Sequence, residues 1–235
     1  GLKGARIGVL RSETDAGNLT DQVVESALAA MKSAGAILID PVEIPTIPQL
    51  EAPEIMALVC EFKDMIREYL VARGPAEPHK SLTDLIRFNI EQADVEMKYF
   101  GQEWFEASEQ TDGRATPGYR EALADCRRLA RVEGIDRVMT EHRLDALVGL
   151  TSGPPFATDL LNGDRSVVGE TALPAVSGYP SVTVPAGYVY GLPVGISFMA
   201  GAWSEPTLLK LAYAFERATR MRRAPHFLPT IDFER

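Results

Sequence analysis

The sequence contains few of the residues that build disulfide frameworks and metal sites. Two cysteines, Cys60 and Cys126, and three histidines occur among its 235 residues. Both cysteines lie in helical patterns and are predicted to be buried and reduced, because two thiols make no disulfide framework. The histidines are scattered, and neither an H-E-x-x-H nor a C-x-x-C spacing occurs. This scarcity argues against a metal site and favours a cytoplasmic protein.

Long hydrophobic runs and an excess of basic charge are also missing. No apolar run approaches the roughly 18 residues that a membrane-spanning helix needs. Acidic residues outnumber basic ones by 33 to 24, which gives a net charge of −9, whereas a surface that binds phosphates is basic. We therefore expect neither a membrane nor a nucleic acid as a partner. Hydrophobic residues make up 46% of the chain, enough for one sizeable core.

Motifs of self-contained catalytic and nucleotide sites are absent as well. No serine has glycine at both second positions, and none is followed three residues later by lysine, so the G-x-S-x-G and S-x-x-K patterns are missing. The adjacent pairs Lys32-Ser33 and Lys80-Ser81 make no dyad, because neighbouring residues on a helix point apart. Neither phosphate-binding glycine motif occurs. The pattern argues against a serine hydrolase that carries its own nucleophile.

The elements that can be predicted are those of an α/β chain. An apolar strand at residues 6–10, an amphipathic helix that ends at Gly35 and a strand at residues 36–39 form a unit expected to be parallel. Residues 50–142 are mainly helical and could form a subdomain. Ser81 with Asp84 opens one of these helices, and Thr116-Pro117 is predicted to start the longest, which continues past Gly134. A strand at residues 145–150 follows.

The most informative stretch is residues 173–198, which are rich in glycine and proline, apolar between them and almost free of charge. This composition predicts buried backbone that passes through fixed turns. On each side of a turn at residues 190–193, apolar residues alternate with other residues at a period of two. This pattern predicts a hairpin. Gly195 and Ser197 lie on one face of this hairpin and allow a close approach of other backbone. The other face is apolar and consists of Val182, Val184, Val194, Ile196 and Phe198.

The same stretch resembles the closing pattern of the amidase signature family of serine amidohydrolases. That pattern has two halves, a G-x-P-x-x-x-x-P-x-G run and a G-L-P-V-G run, and it ends in a Gly, a Glu and a helix. In this sequence it reads Gly178, Pro180, Pro185, Gly187, then residues 191–195, then Gly201, Glu205 and the helix from Thr207. Residues 4–9 and 145–148 resemble earlier strands of the family. The resemblance implies a mixed β-sheet flanked by helices, with residues 1–235 as the carboxyl-terminal part of the amidase signature fold.

The resemblance also implies the chemistry. Such an enzyme hydrolyses a carboxamide to an acid and ammonia or an amine, with a serine nucleophile, a second serine in cis-peptide geometry and a buried lysine. None of the motifs that carry these groups occurs here, and the chain begins with Gly1 rather than Met. We therefore expect a fragment that has no catalytic residue of its own, is inactive alone and needs no cofactor.

Partners and alternatives follow from the same resemblance. The expected partners are a small amide substrate and the missing N-terminal half, with a homodimer as a further possibility. A large exposed apolar surface is expected where the missing half would pack. Two other functions stay open: a non-catalytic binding or scaffold domain derived from this fold, and the subunit of a glutamine-dependent amidotransferase that modifies charged tRNA.

Candidate substrate-pocket residues lie in three places. Thr151, Ser152 and Phe156 follow the strand at residues 145–150, and strand ends in α/β folds are where sites assemble; the alternative is a connection stiffened by prolines. Gln102 lies in the aromatic-rich residues 99–105, which form either a pocket wall or a packing cluster between helices. Ile196 and Phe198 face either the pocket or the core.

Overall fold

The computed structural model describes residues 1–11, 18–164, 169 and 171–225. The chain divides into two compact units. The first consists of Gly1–Ile47 and Leu129–Arg235, and the second of Pro48–Arg128. Most of the predicted helical block 50–142 therefore forms the second unit, while its last part belongs to the first.

The helices and strands of the described residues follow in chain order. The strands are β1 Arg6–Leu10, β2 Ile37–Val42, β3 Ala146–Ser152, β4 Ser181–Val189 and β5 Leu192–Met199. The helices are α1 Asn18–Ser33, α2 Glu51–Ala72, α3 Leu82–Glu91, α4 Ala93–Glu96, α5 Glu103–Glu109, α6 Tyr119–Arg127, α7 Asp136–His142, α8 Ala172–Ser177 and α9 Glu205–Thr219. None of the helices in these described ranges combines the length and the apolar character needed to cross a membrane.

The first unit is built on a mixed five-stranded sheet with the order β2-β1-β3-β5-β4. β1 pairs in parallel with β2 and β3, while β5 pairs antiparallel with β3 and β4. The prediction of a mixed sheet flanked by helices is confirmed, as is the parallel pairing of the first two strands. Because β1 and β3 are parallel, their carboxyl ends lie at the same edge of the sheet.

The hairpin β4–β5 has the predicted apolar face. Val182 pairs with Phe198 and Val184 with Ile196. The connection is tight because Tyr190 and Gly191 both have positive φ, 50° and 76°, as a two-residue type I′ turn requires. The register shifts between Pro185 and Gly187, so the strand accommodates its proline at an irregularity on an edge. Before the hairpin, the residues predicted to form turns make the short helix α8 instead.

One face of the sheet and two helices enclose the main core of the first unit. α1 and α9 pack on this face, and the rings of Phe198 and Phe215 meet edge to face at 6.1 Å. A buried side chain of this size stabilises the fold by about 1.5–3 kcal/mol through removal of apolar surface from water. The fully buried members include Ile7, Val9, Met31, Ala146, Val148, Ile196, Phe198, Leu208, Leu211 and Phe215.

The second unit is helical, and α2 is its longest described element with 22 residues. α2 packs against α5 and α6, and Val59, Cys60 and Tyr119 are buried together. Cys60 and Cys126 are both buried, and neither forms a disulfide. α3 begins at the predicted place, since Ser81 and Asp84 form a reciprocal capping box, which satisfies two backbone donors that the helix start would leave unpaired.

The long helix predicted from Thr116 past Gly134 is only partly correct, because the helical run begins at Tyr119 and is interrupted at Gly134. The Thr116 hydroxyl accepts a hydrogen bond from the Asp112 backbone N–H, and Gly118, in the left-handed region, precedes the first residue of α6. A π-helical segment, Arg128–Ile135, then separates α6 from α7, and Gly134 within it is not helical, with φ −100° and ψ −107°. The apolar spacing continued across this break, so periodicity alone did not reveal it.

Candidate functional site at the carboxyl end of strand β3

The carboxyl end of β3 carries two of the predicted pocket residues. Thr151 is partly buried and Ser152, the last residue of the strand, is exposed. Ser152 pairs with Gly195 of β5, and the register between β3 and β5 shifts beside Thr151. The predicted residues are therefore held by the sheet rather than by a loop, which fixes the direction in which their hydroxyls point.

Three hydroxyl groups form a connected row across β3, β5 and β4, which we call the hydroxyl row. The Oγ of Ser197 lies 2.8 Å from Thr151 Oγ1 and 2.9 Å from Thr183 Oγ1. Ser197 is 2% exposed, while Thr183 is exposed and Thr151 is intermediate. A side chain at Gly195 would approach Thr183 and Thr151 to 3.0–3.1 Å, so glycine leaves the space that the row occupies.

The hydroxyl row can bind polar groups, and none of its hydrogen bonds to described residues involves a base. Each hydroxyl has one proton to donate, and the two bonds within the row use two of the three protons. One proton and several lone pairs are thus available to a ligand or to water. Within the part of the chain that the structure describes, no lysine, histidine or carboxylate is hydrogen-bonded to the row. A serine becomes a nucleophile only beside such a base, so this arrangement suits binding.

Phe156 lies in the wall of a cavity of about 970 Å³, which we call the hairpin-end cavity. The cavity lies between the first turns of α1, the loop after β3, the turn of the β4–β5 hairpin and the chain after α9. Phe156 is 49% exposed and is the one predicted pocket residue that borders it. Thr151 and Ser152 do not line it, so the structure places the three neighbouring candidates in two different places.

Ile196 and Phe198 lie in the hydrophobic core. They are 2% and 0% exposed and pack among α1 and α9. Because side chains alternate along a strand, they point away from the face that carries Ser197. The sequence analysis gave this position in the core as the alternative to a position in the pocket.

Gln102 belongs to the second unit and is 9% exposed. Its Oε1 accepts a hydrogen bond from Asn89 at 3.0 Å, and its Nε2 donates to the carbonyl of Ile86 at 3.5 Å. Both ends of the amide thus bridge to α3. Around it, the ring of Phe105 lies 5.3 Å from that of Phe62, while the other aromatic side chains of this segment, Tyr99, Phe100 and Trp104, are exposed.

The motif around Gly178 is held by a cluster that the sequence did not reveal. Arg131 donates to the carbonyl of Ser177 at 2.6 Å, and its guanidinium lies over the ring of Tyr179. The Tyr179 hydroxyl donates to Asp136 at 2.9 Å, and burial together with this bond raises the pKa of Tyr179. The cluster fixes the chain between α8 and β4, because both sides of the turn are tied to one helical segment.

The described residues were also compared with the requirements of a metal site. Over residues 1–11, 18–164, 169 and 171–225, no three His, Cys, Asp or Glu side chains come together in a group that could hold a metal ion. His226 lies outside the described residues.

Comparison with known proteins assigns the chain to a family. A model of the amidase family matches residues 1–209. The chain belongs to the amidase family. This confirms the resemblance to the amidase signature family that the closing motif indicated, and the five-stranded mixed sheet with its helices is part of that fold.

Two relatives align with nearly the whole of this amidase-family chain. A probable amidase of Arabidopsis thaliana is 35% identical over 234 residues, which are 97% of this chain and 41% of the relative. The solved structure of native peptide amidase from Stenotrophomonas maltophilia is 41% identical with a TM-score of 0.85, and the match covers 96% of this chain and 45% of that one. The chain thus spans less than half the length of the relatives that it matches.

A shorter similarity links the amidase-family chain to another group. A glutamyl-tRNA(Gln) amidotransferase subunit of Desulforudis audaxviator is 48% identical over 48 residues, which are 20% of this chain and 10% of the relative. This match is restricted to one segment.

Proposed function

We propose that this chain is the carboxyl-terminal part of a serine amidase that hydrolyses the C–N bond of a carboxamide, releasing an acid and ammonia or an amine. The observation that carries the proposal is the family match along nearly the whole chain, together with coverage of only 41–45% of the relatives. In the proposed enzyme the reacting groups belong to a segment that residues 1–235 do not include.

The proposed mechanism uses a serine nucleophile, a second serine in cis-peptide geometry and a buried lysine, all supplied by that other segment. The lysine must be neutral to accept a proton, and burial favours the neutral amine by lowering its pKa. Backbone N–H groups stabilise the oxyanion that forms when the serine attacks the amide carbonyl. No cofactor takes part, and we place the enzyme in the cytoplasm.

Residues 1–235 contribute the sheet and a wall of the substrate site in this proposal. Thr151 and Ser152 offer hydroxyls at the carboxyl end of β3, and the hydroxyl row supports Thr151 through Ser197. Phe156 offers an apolar surface, whereas the amide of Gln102 is hydrogen-bonded to α3 within the second unit. Ile196 and Phe198 act indirectly, since they hold β5 against the core. The substrate is a small amide, and the other segment of the enzyme is the main partner.

The competing functions are a non-catalytic scaffold and a subunit of an amidotransferase. The similarity to the amidotransferase subunit involves one-fifth of the chain, whereas the amidase relative aligns over 97%, which favours the amidase. A scaffold would keep the fold without the reacting groups. A glycine- and serine-rich segment with a preceding lysine in the coding region upstream of Gly1 would dispose of the scaffold.

The proposal is tested by an assay on simple carboxamides. Residues 1–235 alone and a polypeptide that includes the preceding coding region are compared for release of ammonia. We expect activity in the longer polypeptide alone. Equal activity in both would refute the assignment of the reacting groups to the other segment, and glutamine-dependent amidation of charged tRNA would favour the amidotransferase.

A further inference from the structure

The hairpin-end cavity has an electrostatic character that differs from the rest of the chain. The chain has a net charge of −9, yet Arg223 is the one charged side chain among the described residues that line the cavity. No aspartate or glutamate belongs to this described lining. A cavity whose charge opposes that of its own protein favours an anion over a neutral or cationic ligand.

Arg223 is held in position at the wall. Its guanidinium carbon lies 4.9 Å from the centre of the Tyr188 ring, and its backbone N–H donates to the Tyr188 hydroxyl at 3.1 Å. That hydroxyl in turn donates to the carbonyl of Met221 at 3.1 Å. Stacking occupies the face of the guanidinium and leaves the N–H groups at its edge able to donate to a planar acceptor.

Arg223 also lacks a carboxylate partner among the described residues. The ion pairs of the described chain involve other arginines, such as Arg11, Arg73 and Arg114. A carboxylate that entered the cavity would therefore not have to displace an existing described ion pair. Two parallel N–H···O bonds to a guanidinium are the strongest contact that a protein side chain offers to a carboxylate.

Apart from Arg223, the described wall is mostly apolar and partly aromatic, and Gln22 and Ser26 are its other polar side chains besides the tyrosine hydroxyls. Phe156, Tyr188 and Tyr190 provide rings, and Val23 and Pro193 provide aliphatic surface. The volume of about 970 Å³ lies within the range of cavities that hold small molecules, which are mostly apolar with a few polar groups that fix orientation. A ligand that matches this wall needs an apolar body and one anionic group.

We propose that the hairpin-end cavity binds a small aromatic carboxylate, with its ring among Phe156, Tyr190 and Pro193 and its carboxylate on Arg223. The site prefers an acid to the corresponding amide, because the amide has one carbonyl oxygen and no charge where the acid has two anionic oxygens. The inference goes beyond the proposed amidase function and stands without it, since binding is measured on residues 1–235 alone.

Calorimetric titration of the chain tests the proposal with two matched probes, N-acetyl-L-phenylalanine and its neutral amide N-acetyl-L-phenylalaninamide. Because Arg223 is exposed, we expect the acid to bind up to about fivefold more tightly, the upper end of what an exposed ion pair contributes. R223Q should reduce the affinity for the acid to that for the amide. R222Q removes the same charge from the adjacent residue, which is exposed like Arg223 but does not line the cavity, and should retain the preference.

Two further measurements keep the test decisive if a variant folds poorly. With the unaltered chain, the affinity for the acid should fall on raising NaCl from about 50 to about 500 mM while that for the amide stays constant, because salt screens the ion pair. S26W places a large ring at an exposed lining position of α1 and should abolish binding of both probes. Absent binding, equal binding of acid and amide, or equal losses in R223Q and R222Q would each overturn the proposal.

Discussion

At the scale of single residues, the hydroxyl row is the feature that ties the strands of the candidate site together. Ser197 is almost fully buried and serves two threonines at 2.8 and 2.9 Å. A buried hydroxyl with two partners holds both in one rotamer, whereas the threonines at the ends of the row reach more exposed positions. The orientation of Thr151 therefore depends on Ser197, which the sequence predicts only as a residue on the hairpin face that allows close approach of other backbone.

Replacing the central hydroxyl should destabilise the fold modestly. We expect S197A to lower the free energy of unfolding by about 1 kcal/mol, the net value of a hydrogen bond whose remaining partners can reach water. Urea denaturation at neutral pH measures the difference. S181A, which removes an exposed hydroxyl from β4, is the matched control and should change little. A loss in S181A as large as in S197A would contradict the role of the row.

Asp84 gives a prediction with a defined pH dependence. The backbone N–H of Lys80 and then the Ser81 hydroxyl lower the pKa of Asp84 below its ordinary value. A carboxylate whose pKa is lowered in the folded chain stabilises it above the unfolded-state pKa of about 3.9, and this contribution is lost as the pH falls through the folded-state pKa. D84N should therefore be less stable than the native chain at pH 7.

The difference between the native chain and D84N should shrink steadily below about pH 4. Thermal or urea unfolding from about pH 7 to about pH 2.5 follows it. D94N alters an exposed carboxylate in the first turn of α4 and serves as the comparison. A D84N deficit that stays constant down to the lowest pH would show that the carboxylate charge does not stabilise the start of α3.

A contact between two residues could be predicted only when the two residues lie close together in the sequence. Ser81 and Asp84 are three residues apart, so their capping box was evident from the sequence. Thr151, Thr183 and Ser197 are far apart, and they meet only because the register of β3, β5 and β4 brings them side by side. The placement of Arg131 beside Tyr179 depends in the same way on packing that no local pattern encodes.

At the scale of elements, the hairpin shows how a turn sets a register. Tyr190 and Gly191 both have positive φ, and the pairing of Val189 with Leu192 follows directly from this two-residue connection. The turn acts together with the register shift between Pro185 and Gly187, which brings Ser197 beside Thr183 and pairs Val184 with Ile196 and Val182 with Phe198 on the core face. The geometry of the candidate site therefore depends on both the turn at the far end of the hairpin and the irregularity within β4.

A side chain at the second turn position should strain the hairpin. G191A is expected to lower the free energy of unfolding by about 1–2 kcal/mol, since an L-residue in the left-handed region brings its Cβ close to the following carbonyl oxygen. G201A is the control, because its Cβ would meet its nearest neighbour, Asp136, at an ordinary 3.5 Å and its φ is not positive. Comparable losses in both variants would show that the turn conformation is not the cause.

Strands and the closing hairpin were predictable because period-two patterns and turn residues are local signals. The segment after Thr116 was not, since an apolar stripe with helical spacing is the same whether the helix is continuous or interrupted by a π-helical turn. The short helix α8 was missed because its composition, with Pro174 and a following glycine, is typical of turns. Tertiary packing determines both the interruption between α6 and α7 and the formation of α8.

At the scale of the whole molecule, a group of exposed apolar and aromatic side chains in the second unit is the most distinctive surface feature. In the second unit Val95, Tyr99, Phe100 and Trp104 are 57–77% exposed. Neighbouring exposed aromatic side chains are typical of a surface that packs against another polypeptide. In the enzyme that we propose, this surface would pack against the segment that supplies the reacting groups.

Exposed aromatic surface should be detectable in solution. We expect the chain to bind a hydrophobic dye such as ANS while fully folded, and F100S combined with W104S to lower the fluorescence by at least half. L209S removes an exposed leucine of α9 and should have a smaller effect. A folded native chain without dye fluorescence would contradict the assignment of this surface to a partner.

In the proposed enzyme, the reacting groups lie in a segment that residues 1–235 do not include. A fluorophosphonate probe, which forms a covalent adduct with an activated serine, is applied to residues 1–235 and to the longer polypeptide, and the labelled peptides are identified by mass spectrometry. We predict labelling of the longer polypeptide at a serine of the added segment and none at residues 1–235. An adduct on any serine within residues 1–235 would contradict the account.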